Sequence, residues 1–297
     1  MRLSDIYATL APAVSVEFFP PRTPEGEADL LARIPEIKKL QPAFCSVTYG
    51  AGGSGRSSTL TWVKRVKQEF GLEVMCHLTC VGQSRAEIGE VLDQLQELGV
   101  ENIIALRGDP PKGDATWQPH PDGYHYAAEL VAAVRARGFS VAVAGFPEGH
   151  PESVDAESEI RHLKAKVDAG ADAIVTQLFF DNEDFFRYRD DAAKAGITVP
   201  IIPGILPFRS NEELRRFTTR YARTRTGPAA VPAELESLIA AAGGDEAAEA
   251  TIGIDWAIRQ SEELLRAGVP GIHVYCMNKS RMVEQIMSRL RESRVLP

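Results

Sequence analysis

The stretch EVMCHLTCVGQSRAEIGEVLDQLQELGVENIIALRG (residues 73–108) contains one complete strand–helix–strand unit. Its two ends are short, nearly continuous apolar runs, which are typical of strands covered on both faces. Between them, apolar residues recur at helical spacing from Ile88 to Leu98. Ser84 and Glu87 predict a capping box at the start of this helix, and Gly99 fits the position just after its end.

The same unit recurs along the chain of 297 residues. Eight predicted strands begin at residues 14, 43, 73, 102, 139, 172, 199 and 271. The first seven starts lie 27 to 37 residues apart, which is about the length of one unit in an eightfold barrel. We therefore predict an α/β fold, a (β/α)8 TIM barrel, as a single domain over residues 1–297. The longer last interval predicts a helical insertion over 222–249.

A doubly wound open sheet is the alternative fold. It needs a glycine-rich turn after the first strand, where this chain has Pro20-Pro21.

The composition excludes several classes of protein. With 33 basic and 41 acidic residues, the net charge is −8, and no basic face for nucleic acid is evident. No apolar run approaches the roughly 20 residues that span a bilayer, so we expect no membrane association. The four cysteines form no C-x-x-C pair, which favours reduced, buried thiols in a cytoplasmic protein.

Ligands of a barrel bind at the carboxyl ends of its strands, and polar residues follow almost every predicted strand here. Glu17 stands out because the run VSVEFF would bury its carboxylate among apolar groups. Such burial predicts a raised pKa, which suits a general acid. The alternative is a core carboxylate that pairs with a structural base such as Arg107.

Other features allow two interpretations. His77 could be a core histidine or a ligand contact, and Lys166 could lie on a solvated helix face. The glycine-rich segment 50–55 could cradle a phosphate or form a plain loop. Histidine spacing predicts no metal site. No predicted strand contains a lysine for Schiff-base chemistry. Acid–base or cofactor chemistry remains.

Seven motifs together resemble the methylenetetrahydrofolate reductase family, in the order found in that family. They are EFFPP (17–21), TYG (48–50), HLT (77–79), LRGD (106–109), PEGHP (147–151), TQLFF (176–180) and PGILP (203–207). The resemblance implies a barrel that binds FAD and reduces 5,10-methylenetetrahydrofolate to 5-methyltetrahydrofolate. NADH or NADPH would reduce the flavin first, and the folate would then reoxidise it in the same site. Self-association into a homo-oligomer is also expected.

The resemblance also assigns residue roles. Glu17 matches the catalytic acid, and Asp109 matches an acidic residue near the flavin and the pterin. The implied substrate contacts are Gln177, Lys279 and, as the nearest stacking aromatic, Phe208. The implied flavin contacts are Thr48, Tyr49, His77, Arg107, Gly108, Asp109, Tyr126, Ala127, His150, Glu159 and Lys166.

Two non-redox alternatives stay open at this point. One is a pterin-binding barrel such as a methyl-transfer module, and the other is a non-catalytic carrier of flavin or folate.

Overall fold

The computed structural model describes residues 1–49, 56–109 and 118–297. The predicted glycine-rich segment 50–55 therefore lies outside the described residues. In the described part of the chain, eight parallel strands close into a barrel. These strands are β1 (Ala13–Phe18), β2 (Phe44–Val47), β3 (Val74–Thr79), β4 (Asn102–Leu106), β5 (Ser140–Gly145), β6 (Ala173–Leu178), β7 (Ile201–Ile205) and β10 (Gly271–Val274). Their order around the barrel is β1-β10-β7-β6-β5-β4-β3-β2. The predicted (β/α)8 barrel is confirmed.

Helices alternate with these strands. They are α1 (Leu3–Thr9), α2 (Pro24–Lys39), α3 (Arg56–Lys64), α4 (Arg85–Glu97), α5 (Ala127–Ala136), α6 (Ala156–Asp168), α7 (Asn182–Lys194), α8 (Asn211–Arg216), α9 (Ala233–Ala242), α10 (Glu246–Arg266) and α11 (Ser280–Glu292). Two of them, α3 and α8, continue as π-helical turns over Arg65–Glu69 and Phe217–Tyr221. None of the described helices is both long and apolar enough to cross a bilayer.

The quoted unit folds as its capping residues predict. The Glu87 amide donates to Ser84 Oγ at 3.2 Å, and the Ser84 amide donates to the Glu87 carboxylate at 2.8 Å. This reciprocal pair satisfies two amides at the start of α4 that have no helical partner. Gly99 has a φ of +70° just after the helix, a conformation that glycine adopts without a steric penalty.

One end of the barrel is closed and the other carries polar groups. Helix α1 packs beneath the strands, where Tyr7 meets Phe44 edge-on at 6.4 Å between ring centroids. Phe44 in turn stacks on His273 inside the barrel. Because α1 closes the amino end of the strands, a ligand has access to the interior from the carboxyl end.

The chain between β7 and β10 is longer than the other connections. It contains a two-stranded antiparallel hairpin, β8 (Arg223–Thr224) and β9 (Gly227–Pro228), and then α9. Helix α9 lies at residues 233–242, within the predicted insertion. An apolar cluster that includes Leu235 and Trp256 packs this segment against the end of the barrel beside β6 and β7.

Candidate active site

Glu17 is the central group at the carboxyl end of the barrel. It lies on β1, and only 5% of the residue is exposed. Its Oε2 lies 3.1 Å from His77 Nε2 and 3.6 Å from His273 Nε2, and it accepts a hydrogen bond from Ser46 Oγ at 3.3 Å. Ser46 and His273 lie on β2 and β10, the two strands next to β1, and His77 lies on β3, the strand beyond β2. Three strands thus bring polar groups to one carboxylate.

The structure contradicts the predicted raised pKa of Glu17. Burial does favour the neutral carboxyl and is the largest single influence on this pKa. The contacts with His273 and His77 together outweigh it, because they favour the charged form, and the pKa of Glu17 falls to about 2. The sequence prediction is wrong because it considered only the apolar neighbours of Glu17 in the chain.

The alternative pairing of Glu17 with Arg107 is not observed. Arg107 instead forms a bidentate ion pair with Glu152, at 2.5 Å and 2.7 Å. Glu152 lies in the loop between β5 and α6, so this pair links that loop to the end of β4. Arg107 therefore lies at the rim of the barrel rather than in its interior.

Two buried polar atoms of β3 point to a ligand site at this rim. Among the described residues, neither His77 Nε2 nor Thr79 Oγ1 has a hydrogen-bond partner. His77 Nε2 lies close to Glu17 but is not aligned to donate to it. A buried polar atom without a partner costs free energy, and a bound molecule with polar edges would satisfy both atoms.

Lys166 supplies a second cation on this side of the barrel. Its ammonium donates to the Ala144 carbonyl at 2.6 Å and lies 5.7 Å from the centroid of the Phe146 ring. Burial lowers the pKa of Lys166 to about 8, against the opposing effect of the Glu159 charge. The interpretation of Lys166 as a residue on a solvated helix face is therefore wrong.

Glu159, in the first turn of α6, holds the preceding loop, which contains His150. Glu159 accepts hydrogen bonds from the His150 amide at 3.1 Å and from Ser153 Oγ at 2.6 Å. The His150 ring meets Phe146 edge-on at 4.8 Å. Glu159 is buried in this role, so it shapes the loop from within rather than facing the open end of the barrel.

Other predicted residues lie around the same end. Tyr49 donates to Gln83 Oε1 at 3.2 Å, and the Thr48 carbonyl accepts from Thr59 Oγ1 at 2.9 Å. Tyr126, at the start of α5, is 67% exposed. The remaining predicted residues of this rim are Gly108 and Asp109, which follow β4, and Ala127, which begins α5.

The three predicted substrate contacts differ in their surroundings, since Gln177 and Lys279 have polar partners whereas Phe208 is enclosed. Gln177 Nε2 donates to the Tyr221 carbonyl at 3.3 Å, and Lys279 Nζ lies 3.4 Å from Asp29 Oδ2. Phe208 is different, since it is 0% exposed and packs against Phe180. A ring enclosed in this way has no face open to a ligand, so the structure argues against the predicted stacking role of Phe208.

Sequence reasoning missed His273 and Ser46 as partners of Glu17. His273 lies in the last predicted strand, which begins at residue 271, but no role was predicted for it. The available signal was the alternation of side chains along a strand, because Ser15 and Glu17 point to the same face of β1. In the closed barrel Ser15 pairs with His273 of β10, which brings that face of β10 to Glu17.

The fold and this site define a (β/α)8 barrel with a buried acidic group at its carboxyl end. A sequence profile described as methylenetetrahydrofolate reductase matches residues 2–291. The chain is 38% identical over 270 residues to 5,10-methylenetetrahydrofolate reductase of Pectobacterium carotovorum, covering 91% of this chain and 87% of that protein. It is 37% identical to the Escherichia coli protein of the same name, with the same coverage. The chain belongs to the methylenetetrahydrofolate reductase family.

The plant relatives are longer. Methylenetetrahydrofolate reductase (NADH) 1 of Arabidopsis thaliana is 34% identical over 290 residues, and the match covers 94% of this chain but 48% of that protein. The chain thus spans about half the length of these relatives. A solved structure of an uncharacterised Clostridium thermocellum protein that binds two copies of 5-methyl-5,6,7,8-tetrahydrofolic acid has the same fold, with a TM-score of 0.62 and 13% identity. That match covers 99% of each chain.

Proposed function

We propose that the chain reduces 5,10-methylenetetrahydrofolate to 5-methyltetrahydrofolate, with FAD as its cofactor and NADH or NADPH as the electron donor. The observation that carries this proposal is Glu17, a buried carboxylate in contact with two histidines at the ligand-binding end of a barrel of this family. Self-association of the chain and a cytoplasmic location stay predictions.

The residues at the rim fit a flavin dinucleotide. His77 Nε2 and Thr79 Oγ1 are buried and have no partner within the described part of the chain, and the polar edge of a flavin ring would satisfy both atoms. Arg107 and Lys166 are cations that would hold the diphosphate. When bound, the flavin would take a hydride from the nicotinamide and deliver it to the folate.

The protein's own contribution to the reaction is proton transfer and orientation. Glu17 would deliver a proton to a ring nitrogen of the folate, which opens the five-membered ring to an electrophilic iminium. Gln177, whose amide is near the open end, would orient the pterin, and Asp109, which follows β4 at the same rim, would adjust the charge beside it. Lys279 would attract the anionic tail of the folate, because its pairing with Asp29 is exposed and therefore weak.

Lys166→Met is expected to weaken FAD binding about 10- to 100-fold, the worth of one charge-assisted hydrogen bond. Since Lys166 loses its proton above about pH 8, FAD affinity of the unaltered protein should fall as the pH rises from 7 to 9. The variant should lack this pH dependence. Fluorescence titration of the FAD-free protein measures both effects.

Lys164→Met is the matched control, because Lys164 lies on the same helix and pairs with Asp168 at the surface. It should bind FAD as the unaltered protein does. Equal FAD affinity of the two variants would contradict the role of Lys166.

Phe208→Leu should lower the free energy of unfolding by about 1 kcal/mol, since the ring is buried and the substitution nearly conserves volume. The KM for methylenetetrahydrofolate should not change, because the ring does not reach the open end. Denaturant unfolding and steady-state kinetics check these two expectations. A raised KM at unchanged stability would return Phe208 to the substrate site.

The proposed function is tested by incubating purified, FAD-loaded protein with methylenetetrahydrofolate and each nicotinamide in turn, and identifying the product by mass spectrometry. Formation of 5-methyltetrahydrofolate is the expected result. A protein that cannot be loaded with FAD but binds 5-methyltetrahydrofolate would instead favour the non-redox alternatives.

A further inference from the structure

His273 lies beneath Glu17 in the interior of the barrel. It is 1% exposed, and its ring stacks on Phe44 at 6.3 Å and meets Tyr275 edge-on at 5.3 Å. Both ring nitrogens face polar atoms, as buried polar groups require. Nδ1 lies 2.7 Å from Ser15 Oγ, and Nε2 lies 3.3 Å from Ser46 Oγ.

Ser15 determines which nitrogen can exchange a proton. A serine hydroxyl has one proton, and the Ile272 carbonyl, 3.4 Å from Ser15 Oγ, is positioned to accept it. Its oxygen is then the acceptor for a proton on His273 Nδ1. Because the hydrogen bond at one ring nitrogen fixes the state of the other, Nε2 is the nitrogen that is left to gain or lose a proton.

Ser46 connects this nitrogen to Glu17. The direct separation of 3.6 Å between His273 Nε2 and Glu17 Oε2 is too long for a good hydrogen bond. Ser46 Oγ lies 3.3 Å from each of these atoms. Its hydroxyl can therefore accept a proton from Nε2 while it donates its own proton to the carboxylate.

We propose that His273 is a positioning residue that supplies the proton of Glu17 through the Ser46 hydroxyl, with Ser15 holding the other ring nitrogen protonated. This inference rests on the proposed function. The step begins with Glu17 as a carboxylate and with a proton on His273 Nε2. One proton then passes from Nε2 through Ser46 to Oε2. The O–H bond of Glu17 breaks as an N–H bond forms on the folate, and a proton from water at the open end then returns to His273 Nε2 through Glu17 and Ser46.

The other titratable groups near His273 do not provide this proton. Burial raises the pKa of Tyr275 well above its usual value, and its hydroxyl donates to the Thr176 carbonyl at 2.6 Å. Burial also raises the pKa of Tyr7, beyond Phe44, so it stays neutral. His77 Nε2 lies 3.1 Å from Glu17 Oε2 on the rim side and contacts it directly rather than through a serine hydroxyl. The buried relay therefore runs through His273.

Nitrogen-15 NMR of histidine-labelled protein without substrate tests the protonation pattern, with His273→Asn used to assign the signals. We expect the neutral His273 ring to carry its proton on Nδ1 and not on Nε2. Ser15→Ala should produce a mixture of both tautomers. Ser140→Ala is the matched control, since Ser140 is an equally buried serine on β5 that bonds to Asp172. A neutral His273 ring that carries its proton on Nε2 in the unaltered protein would overturn the proposal.

Ser46→Ala tests the relay itself. Reoxidation of the reduced flavin by the folate should slow about 100-fold and change its pH profile, whereas flavin reduction by the nicotinamide should keep its rate. A rate and a pH profile equal to those of Ser140→Ala would overturn the relay. If the unaltered protein shows the expected His273 pattern but never reduces the folate, the proposed function fails while the assignment of the exchanging nitrogen is supported.

Discussion

Glu17→Gln is expected to slow the reduction of methylenetetrahydrofolate by about 10³-fold or more, because the amide keeps the shape of the side chain but has no acidic proton to give. Reduction of the flavin by the nicotinamide should proceed at its normal rate, since that step needs no acid at this position. Stopped-flow absorbance of the flavin measures the two half-reactions separately.

The control for this variant is Glu249→Gln. Glu249 is a buried carboxylate that accepts a hydrogen bond from the Asn211 amide at 2.7 Å, at the start of α10 and away from Glu17. It undergoes the same chemical change without touching the site. Normal folate reduction by Glu17→Gln would exclude Glu17 as the acid.

Gly108→Ala is expected to lower the free energy of unfolding by about 3 kcal/mol and to abolish FAD retention. Gly108 has a φ of +88°, which costs other residues about 1–2 kcal/mol. An added Cβ would also lie 2.5 Å from Val81 Cγ1 and 3.0 Å from Thr79 Cβ, so the chain beside Arg107 would have to move. Denaturant unfolding and the flavin content after gel filtration check the prediction.

Gly138→Ala separates the two causes. Gly138 has a φ of +85°, but an added Cβ there would meet nothing within 4 Å. It should therefore lose only about 1 kcal/mol and retain FAD. Equal losses in the two variants would mean that the contacts at Gly108 contribute nothing.

The fold could be predicted because its signals are local. Each strand is a short apolar run, and the spacing of these runs reports the length of one unit. The cap of α4 is readable because Ser84 and Glu87 are three residues apart and satisfy each other's backbone amides. None of these features depends on contacts between distant parts of the chain.

The site was only partly predictable, because its energetics depend on closure of the barrel. Glu17 was recognisable as a carboxylate in an apolar run, but the direction of its pKa shift follows from His77 and His273. His273 is 256 residues away in sequence and reaches Glu17 only because β10 pairs with β1. Phe208 was assigned wrongly for a related reason, since its ring is enclosed by α10 at Gly253, which the sequence pattern could not place.

The central claim, that one site carries both half-reactions with Glu17 as the proton donor, is tested most directly by anaerobic titration of the FAD-loaded protein. Adding NADH or NADPH should bleach the flavin, and adding methylenetetrahydrofolate should then restore its colour with formation of one 5-methyltetrahydrofolate per flavin. The Glu17→Gln protein should bleach and stay bleached. Failure of methylenetetrahydrofolate to reoxidise the reduced flavin of the unaltered protein would contradict the account.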